Sequence, residues 1–485
     1  MYSELITMNR RRPLHFVVVT YQVQGHINPA IHLANRLIQI AGARITFSTP
    51  VSAHRRMFPS SAAPDQEVED GLISYIPFSD GYDDGFHDYH SRHEVDHFIS
   101  RSKQIASENL SSLVASLSAR GRLVTCIIYT FFSPWVADVA CDHGIPSILY
   151  WIQSATVFAI HYHYFHGYDG LVAAHRSEPL FTVRLPGLRS FHIRDLPSLL
   201  TISADDLLYS SLNTVREVFA ATDSEKAWPR PTLLVNSFDV LEVDGLAAVG
   251  DEVDVITVGP LLPSACTRDR DAEELTSATD LFKSDRKAYM EWLDTKPERS
   301  VVYVSFGTVI VARKKQLEEI LLGLKECGRP YLLVVRKDNP REGVELVEGE
   351  NGMVVEWCSQ TRVLSHPSVG CFVTHCGWNS SLESLAYGVP TVAVPQILDQ
   401  RMNACMAEEA WGTGIRGELN EEGVLEGSEL QRCLDAVMGE GELGVEIRRQ
   451  AEKWRDNARE AIGDGGSSDR NLRASVEEVM RKATE

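Results

Sequence analysis

The sequence predicts an α/β protein whose two doubly wound domains face each other across a cleft. Two series of short apolar segments alternate with stretches of helical spacing, which is typical of parallel sheets covered by helices. A polar, charge-rich run separates the two series, and 485 residues are too many for one ordinary hydrophobic core. The cleft between two such domains is the expected place for a ligand.

The first series begins with a continuous apolar strand at residues 14–20 (LHFVVVT). A turn (YQVQGHINPA) leads into helical spacing at residues 31–38, and residues 43–50 (ARITFSTP) form the next strand, so this segment is predicted to be a βαβ unit. Further alternations follow with VTCIIYT, PWVADVACDHG, IPSILYW and PRPTLLVN. We assign residues 1–250 to an N-terminal domain.

A linker is predicted for residues 251–290, where the pattern breaks into VGPLLP and then into the charged run CTRDRDAEELTSATDLFKSDRK. The second α/β series contains SVVYVSFGT, YLLVVR, GMVVEW, CFVT and TVAVP, and it assigns residues 291–463 to a C-terminal domain. The glycine-rich GDGGSS then separates the last long helix from a final one. Residues 464–485 are therefore expected to form a C-terminal helix that returns to the N-terminal domain.

Composition and charge exclude several classes of partner. The formal net charge of −20 has the wrong sign for nucleic acid or an anionic membrane surface, and no stretch approaches the ~18 apolar residues of a membrane span. No signal-peptide pattern is present near Met1. The nine cysteines are scattered without a CxxC pair, which is typical of reduced thiols rather than of disulfides or a zinc site. A cytoplasmic monomer without a metal or a bound cofactor is expected.

Residues 374–387 (THCGWNSSLESLAY) are predicted to form a ligand-binding turn between a strand and a helix. The preceding residues 370–374 are apolar and β-branched, as in a buried strand, and Gly388 and Pro390 end the helix. Ligands bind at the carboxyl ends of strands in open α/β sheets. Because the first N–H groups of a helix are free and its N-terminus is the positive end of the dipole, this turn suits an anion such as phosphate.

The whole segment from residue 357 to residue 400 (WCSQTRVLSHPSVGCFVTHCGWNSSLESLAYGVPTVAVPQILDQ) resembles the signature box of the plant UDP-sugar-dependent secondary-product glycosyltransferases, nearly position by position. QGHINPA, VSFGT and GGSS extend the resemblance along most of the chain. It implies the GT-B architecture, with two Rossmann-like domains, UDP-glucose in the C-terminal domain and a small hydrophobic acceptor in the N-terminal one. SAHRRMF, FSDGYDDGF and LPGLRSFHIRDLPSLL are similar to a subgroup that contains anthocyanidin 3-O-glucoside 5-O-glucosyltransferases and plant-acid glucosyltransferases.

The resemblance implies how the nucleotide is held. Trp357 would stack its indole on the uracil, because a flat apolar face is what a base needs, and Gln360 would help to hold the nucleoside. His375, Asn379 and Ser380 would contact the pyrophosphate and the neighbouring sugar. Together with the N–H groups at the start of the helix, an imidazole and a hydroxyl can offset the phosphate charges without a metal.

The resemblance also implies how the two sugars of the donor are held. Glu383 would accept hydrogen bonds from the ribose hydroxyls, although Ser380 and Glu383 also spell a helix capping box, S-x-x-E. Asp399 and Gln400 would form hydrogen bonds with adjacent hexose hydroxyls. Glutamine at the last position of the signature box indicates glucose as the donor sugar. The remaining donor-binding candidates are Thr308 of VSFGT and, within the box, Cys358, Gly377 and Trp378.

His26 of QGHINPA, on the loop that leaves the first strand, matches the general base of the family, which takes a proton from the acceptor. Many members carry an Asp after the third strand that orients this imidazole, whereas this chain has Thr130 in CIIYTFF. A threonine hydroxyl can hydrogen-bond the ring but cannot stabilise an imidazolium by charge. Either His26 is a weaker base, or the acceptor needs less help.

The sequence thus predicts an inverting glucosyltransferase in which His26 activates a hydroxyl or carboxyl of a small plant metabolite or hormone. Two alternative classes of protein remain to be considered. A nicotinamide-dependent oxidoreductase is disfavoured because no G-x-G-x-x-G follows the first strand of either domain. A nucleotide-sugar-binding protein that has lost its activity is conceivable because of Thr130.

Two further clusters favour structural interpretations. Residues 161–166 (HYHYFH) suggest metal ligands, but His161 and His163 would lie on different faces of a helix, so an aromatic wall beside the acceptor is the better interpretation. Residues 269–271 (DRD) resemble the metal-binding D-x-D of another glycosyltransferase architecture. Since they lie in a polar linker rather than at a strand end, they are interpreted as solvated charges.

Overall fold

The computed structural model describes residues 14–59, 65–85, 91–223, 232–250, 252–263, 286–307, 314–337, 339, 344 and 351–482. In this part of the chain the strands are β1 (His15–Val19), β2 (Arg44–Ser48), β3 (Val68–Asp70), β4 (Ile73–Tyr75), β5 (Cys126–Thr130), β6 (Ser147–Trp151), β7 (Thr182–Val183), β8 (Phe191–His192), β9 (Thr232–Val235), β10 (Asp254–Thr257), β11 (Val301–Ser305), β12 (Tyr331–Val334), β13 (Gly352–Val355), β14 (Val369–Thr374), β15 (Thr391–Ala393) and β16 (Gly414–Arg416).

The helices of the same residues are α1 (Gln24–Ala41), α2 (Val51–Met57), α3 (Arg92–Ala119), α4 (Trp135–Asp142), α5 (Ala155–His163), α6 (Asp169–His175), α7 (Tyr209–Thr222), α8 (Val243–Ala248), α9 (Arg286–Asp294), α10 (Lys314–Cys327), α11 (Gln360–Leu364), α12 (Trp378–Tyr387), α13 (Gln400–Glu409), α14 (Gly427–Met438), α15 (Glu442–Ile462) and α16 (Ser467–Lys482). Short 3₁₀ turns precede α7 and α8. None of these helices is both long enough and apolar enough to cross a membrane.

Two parallel sheets form the centres of two domains, which confirms the predicted doubly wound fold. The N-terminal sheet has the order β10-β9-β6-β5-β1-β2-β4-β3, and only the β3–β4 pair at its edge is antiparallel. The C-terminal sheet has the order β13-β12-β11-β14-β15-β16 and is parallel throughout. Central strands such as β1 and β11 are buried along their whole length, as expected of strands covered by helices on both faces.

The last helix, α16, packs on the N-terminal domain, although it follows the C-terminal domain in the chain. Leu472, Val476 and Val479 of α16 are buried in the N-terminal core, and Arg36 of α1 forms an ion pair of 2.6 Å with Asp469. The N-terminal sheet also extends further than the sequence suggested. β10 lies in the segment that was assigned to the linker, so this domain continues beyond residue 250.

The first helix begins earlier than the sequence predicted, because α1 starts at Gln24 rather than near residue 31. His26 therefore lies in the first turn of a helix and not on a loop. Pro29, the proline of the predicted turn YQVQGHINPA, lies inside the helix. Pro29 lies beyond the first turn of α1, so the N–H that it lacks would otherwise have donated to the carbonyl of Gly25.

Candidate active site

A cleft of about 1450 Å³ lies between the domains at the carboxyl ends of the two central sheets. The direction of winding reverses between β1 and β5 in the N-terminal sheet and between β11 and β14 in the C-terminal one. Ligands of doubly wound sheets bind at such switch points. His26 follows β1 and His375 follows β14, so the two domains each bring a predicted site residue to one cleft. Thr130, at the end of β5, does not line the cleft but contacts His26.

His26 and Thr130 are in direct contact. The Nδ1 atom of His26 lies 2.9 Å from Oγ1 of Thr130, and the backbone N–H of Tyr21 donates to the same hydroxyl oxygen at 3.2 Å. β1 and β5 are neighbours in the sheet, which brings together two residues that are 104 positions apart in the chain. Both side chains are buried. The threonine therefore occupies the position beside the imidazole that the resemblance assigns to an aspartate.

Aromatic rings enclose the His26 imidazole. The ring centroids of Phe131, Phe132 and Tyr21 lie 5.0, 5.5 and 5.6 Å from that of His26. Because these surroundings disfavour the charged form, burial lowers the pKa of His26 to about 3. The imidazole is thus neutral near pH 7. Phe131 and Phe132 directly follow Thr130 in the sequence YTFF. The sequence analysis used only the threonine of this segment and did not predict the role of the two phenylalanines.

The turn between β14 and α12 leaves the start of the helix open to the cleft. The N-cap residue is Gly377, and no side chain caps the helix. The first N–H groups of α12 are therefore available to an anion. The capping-box alternative for Ser380 and Glu383 is wrong, because Ser380 lies inside the helix and not at its N-cap.

Two glycines make room for the His375 ring at this turn. A Cβ atom on Gly307 or Gly377 would lie 2.8 or 2.6 Å from the imidazole, closer than such contacts occur in proteins. Burial lowers the pKa of His375 to about 4, although its hydrogen bond with the backbone of Ser305 acts in the opposite direction. Its Nδ1 atom is buried without a partner among the described residues. A neutral imidazole thus lies beside the uncapped helix.

Gln360 connects two other residues of the box. Its amide nitrogen donates to Oγ of Ser380 at 2.9 Å and to Oε2 of Glu383 at 2.7 Å, and the Tyr303 hydroxyl donates to its carbonyl oxygen at 3.3 Å. Burial raises the pKa of Glu383 to about 7, although the Gln360 hydrogen bond lowers it. The Glu383 carboxyl is therefore partly protonated at neutral pH, and a ligand that donates hydrogen bonds would favour its charged form.

The other aromatic and sulfur-containing candidates differ in their surroundings. Trp357 is partly buried and lines the cleft. Cys358 is buried, and its Sγ atom lies 3.5 Å from the Tyr303 hydroxyl. Trp378 is buried as well, and its indole N–H donates to the backbone oxygen of Asn236 in the N-terminal domain at 2.8 Å. Trp378 thus connects the two domains through its only polar atom.

Asn379 also contacts the N-terminal domain, through a carbonyl that Pro29 leaves free. In a regular helix the Gly25 carbonyl would accept from the N–H of residue 29, but proline has no N–H. The Asn379 side-chain amide donates to this Gly25 oxygen at 2.9 Å. The segment of residues 357–400 is therefore attached to the residue that precedes His26.

Asp399 and Gln400 lie at the cleft, where α13 begins. An oxygen of Asp399 accepts from the Asn403 side chain at 2.8 Å, and burial raises the pKa of Asp399 to about 6. The side-chain oxygen of Gln400 accepts from the backbone N–H groups of Gln396 and Ile397 at 2.9 and 3.0 Å. Both side chains are buried and held in fixed orientations.

The remaining predictions fall outside this site or outside the described residues. Thr308 and residues 269–271 are not among the described residues. The expected aromatic wall at residues 161–166 is wrong, because these residues do not line the cleft. His161 lies in the core, where it stacks on Phe219 and makes an edge contact with Trp151.

One group of possible metal ligands is found among the described residues, namely Asp195, Cys405 and Glu409. It does not line the cleft. The Arg416 guanidinium pairs with Asp195 at 2.6 Å and with Glu409 at 2.8 Å, so a cation from the protein already neutralises these carboxylates.

Relatives with curated functions match nearly the whole chain. The phloretin 4'-O-glucosyltransferase of Malus domestica is 45% identical, and the match covers 96% of this chain and 97% of that protein. A chloroplastic crocetin glucosyltransferase of Gardenia jasminoides is 44% identical, with the same two coverages. Anthocyanidin 3-O-glucoside 5-O-glucosyltransferase 1 of Perilla frutescens is 42% identical over 98% of this chain and 100% of that protein.

A solved structure and a family model agree with these relatives. The crystal structure of Os79 from O. sativa in complex with UDP has 29% sequence identity and a TM-score of 0.78, covering 96% of this chain and 100% of that chain. Residues 279–443 match the model of the family described as "UDP-glucoronosyl and UDP-glucosyl transferase". These similarities exclude the oxidoreductase alternative and confirm the GT-B architecture. The chain belongs to the plant UDP-glycosyltransferase family and is a UDP-glycosyltransferase.

Proposed function

We propose that this enzyme transfers glucose from UDP-glucose, with inversion, to a hydroxyl or carboxyl of a small plant secondary metabolite or hormone. The relatives named above act on phloretin, crocetin and an anthocyanidin glucoside according to their names, which supports this class of acceptor. The contact between His26 and Thr130, opposite an uncapped helix in the same cleft, is the observation that carries the proposal. We further propose that the enzyme is a monomer.

The donor binds along the C-terminal side of the cleft in this proposal. Trp357 stacks on uracil, Glu383 accepts from the ribose hydroxyls, and the start of α12 with His375 binds the pyrophosphate. As the anomeric C–O bond breaks, the electron pair leaves with UDP, and the preorganised N–H groups stabilise the negative charge. Since these groups compensate the phosphate charge, the reaction needs no divalent cation.

The acceptor oxygen attacks the anomeric carbon from the face opposite UDP. With a hydroxyl acceptor, the new C–O bond forms while the proton passes to Nε2 of His26, which must then carry its hydrogen at Nδ1. The aromatic rings around His26 give the acceptor an apolar surface. A small hydrophobic molecule is therefore the substrate that this side of the cleft suits best.

An acceptor that arrives ionised suits the Thr130 hydroxyl better than a neutral alcohol does. The Thr130 oxygen already accepts from the Tyr21 N–H, so its own hydrogen is free to be donated to Nδ1 of His26. The neutral ring then carries its hydrogen at Nε2, where it donates to a carboxylate instead of accepting a proton. An alcohol requires the other tautomer, which leaves the buried hydroxyl hydrogen without an acceptor and costs about 1–3 kcal/mol.

The test is release of UDP from UDP-glucose in EDTA with acceptors that come as matched pairs of acid and alcohol. We expect turnover without added metal and a higher kcat/KM for the acid of each pair. Alkaline hydrolysis of the product distinguishes a glucose ester from a glucoside. Loss of turnover on chelation, restored by manganese or magnesium, would contradict the proposed stabilisation of the leaving group.

Glu383 predicts a pH dependence of UDP binding. Ribose hydroxyls favour the charged carboxylate, whose pKa burial raises to about 7, so UDP affinity should increase as the pH rises through 7. Between pH 6 and pH 8 a single group of this pKa changes the affinity by up to about tenfold. Calorimetric titration of Glu383→Gln is the control, because UDP itself ionises in this range. If the variant shows the same pH dependence as the wild type, Glu383 does not hold the ribose.

Gln400→His should lower the preference for UDP-glucose over UDP-galactose and leave the affinity for UDP nearly unchanged. The reason is that the side-chain oxygen of Gln400 is held by two backbone N–H groups, so that its amide nitrogen is left to donate to the hexose. The measurement is the ratio of kcat/KM for the two donors at saturating acceptor. An unchanged ratio would show that Gln400 does not select the sugar.

A further inference from the structure

The loop that carries the hexose-binding candidates contains a strained residue. Leu398, which directly precedes Asp399, has a φ angle of 57° and lies in the left-handed region. For a residue other than glycine this conformation costs of order 1–3 kcal/mol and persists only where the surroundings impose it. The conformation of this loop therefore depends on whatever holds Leu398.

Ser198 of the N-terminal domain holds this residue from both sides. Its backbone N–H donates to the Leu398 carbonyl at 2.7 Å, and its hydroxyl oxygen accepts from the Leu398 N–H at 2.7 Å. Ser198 is buried at the start of a 3₁₀ turn, Ser198–Leu200. Two short reciprocal hydrogen bonds thus fix both polar groups of the Leu398 backbone.

The side chain of Leu398 belongs to the same arrangement. It packs against the N-terminal core, as do Met402 and Cys405 of α13. The turn at Leu398 therefore directs its apolar side chain toward the acceptor domain. Within the same turn, Gln396 and Ile397 donate their backbone N–H groups to Gln400. A change at Leu398 would move the residues on either side of it.

We propose that Ser198 is a positioning residue for the donor sugar, because it holds Leu398 in the left-handed conformation that orients Asp399 and Gln400. This inference rests on the proposed role of Asp399 and Gln400 in hexose binding. It assigns part of the sugar selectivity of the C-terminal domain to a hydroxyl of the N-terminal domain. The residues proposed to bind uracil and phosphate, Trp357 and those at the start of α12, lie on other segments of the chain, so we expect their positions not to depend on Ser198.

The experiment compares Ser198→Ala, which removes the hydroxyl, with Ser198→Thr, which retains it. In Ser198→Ala we expect the KM for UDP-glucose to rise about fivefold, because the Leu398 N–H loses its acceptor. The preference for glucose over galactose should fall, and the Kd of UDP, which has no hexose, should stay within about twofold. Ser198→Thr should retain most of the wild-type behaviour.

Two further measurements separate positioning from packing. Hydrogen exchange of the Leu398 amide in the ligand-free protein should become roughly fivefold faster in Ser198→Ala and not in Ser198→Thr. In a Leu398→Gly background the left-handed conformation needs no restraint, so the further change Ser198→Ala should have a smaller effect on the KM for the donor. Thermal unfolding of each variant verifies that the fold is intact.

The proposal is overturned if Ser198→Ala leaves the KM for the donor and the glucose preference unchanged. It is also overturned if Ser198→Thr loses as much as Ser198→Ala, since packing would then explain the effect. Gln400→Ala separates the two levels of inference. If it raises the KM for the donor while Ser198→Ala does not, only the role of Ser198 fails. If both variants behave like the wild type, the hexose site and the role of Ser198 fail together.

Discussion

Replacing His26 by alanine should lower kcat/KM for a neutral alcohol acceptor by roughly 10²–10⁴-fold, which is the usual contribution of a general base. The loss should be much smaller for a matched carboxylic acid, because a carboxyl group with a pKa near ~4–5 arrives without the proton that a base would remove. Such an acceptor loses only a hydrogen-bond donor at Nε2. The measurement is kcat/KM for matched acid and alcohol acceptors with wild type and His26→Ala.

Thr130→Asp is the matched partner of this experiment. A carboxylate beside Nδ1 accepts the hydrogen of the ring, fixes the tautomer that can take a proton at Nε2, and stabilises the imidazolium. We expect it to raise activity toward alcohols and to add little for acids. It should also raise the pKa of His26 above its present value of about 3, since a neighbouring negative charge favours the protonated ring. If His26→Ala lowers kcat/KM by the same factor for acids and for alcohols, the proposal that Thr130 favours acid acceptors is refuted.

Replacing Trp357 by alanine should weaken UDP binding about tenfold or more. Stacking of a base on an aromatic ring contributes about 1–3 kcal/mol, and the stack on uracil is present with substrate and product alike. Titration calorimetry with UDP measures the effect directly, without any acceptor. Trp357→Phe is the control, because it keeps an aromatic face and should retain most of the affinity. If Trp357→Ala binds UDP as the wild type does, the indole has only a packing role.

Much of the fold and the position of the site follow from local patterns in the sequence. Buried parallel strands are continuous apolar runs, so each strand of the two α/β series can be predicted from its own short segment of sequence. The switch-point rule then places a ligand after β1 and β14, where His26 and His375 are found. The resemblance of residues 357–400 gave the family.

Contacts between segments that are distant in the chain could not be predicted in this way. Ser198 and Leu398 are 200 positions apart, and neither the serine nor the positive φ angle has a local signal in the sequence. The start of α1 is not predicted because the segment that contains Pro29 reads as a turn, whereas Pro29 lies inside the helix and Asn379, far away in the chain, donates to the carbonyl that it leaves free. The low pKa of His26 depends on rings that surround it only after folding.

Pro29 has one more consequence, for the balance between stability and activity. An alanine at this position would supply the missing N–H, complete the hydrogen bonding of α1 and favour the helix. The new N–H would then compete for the Gly25 carbonyl to which Asn379 now donates at 2.9 Å, although the two lone pairs of this oxygen can accept two hydrogen bonds. We expect the variant with the more regular helix to be the more stable protein and, where this competition weakens the attachment of the C-terminal domain beside His26, the less active enzyme.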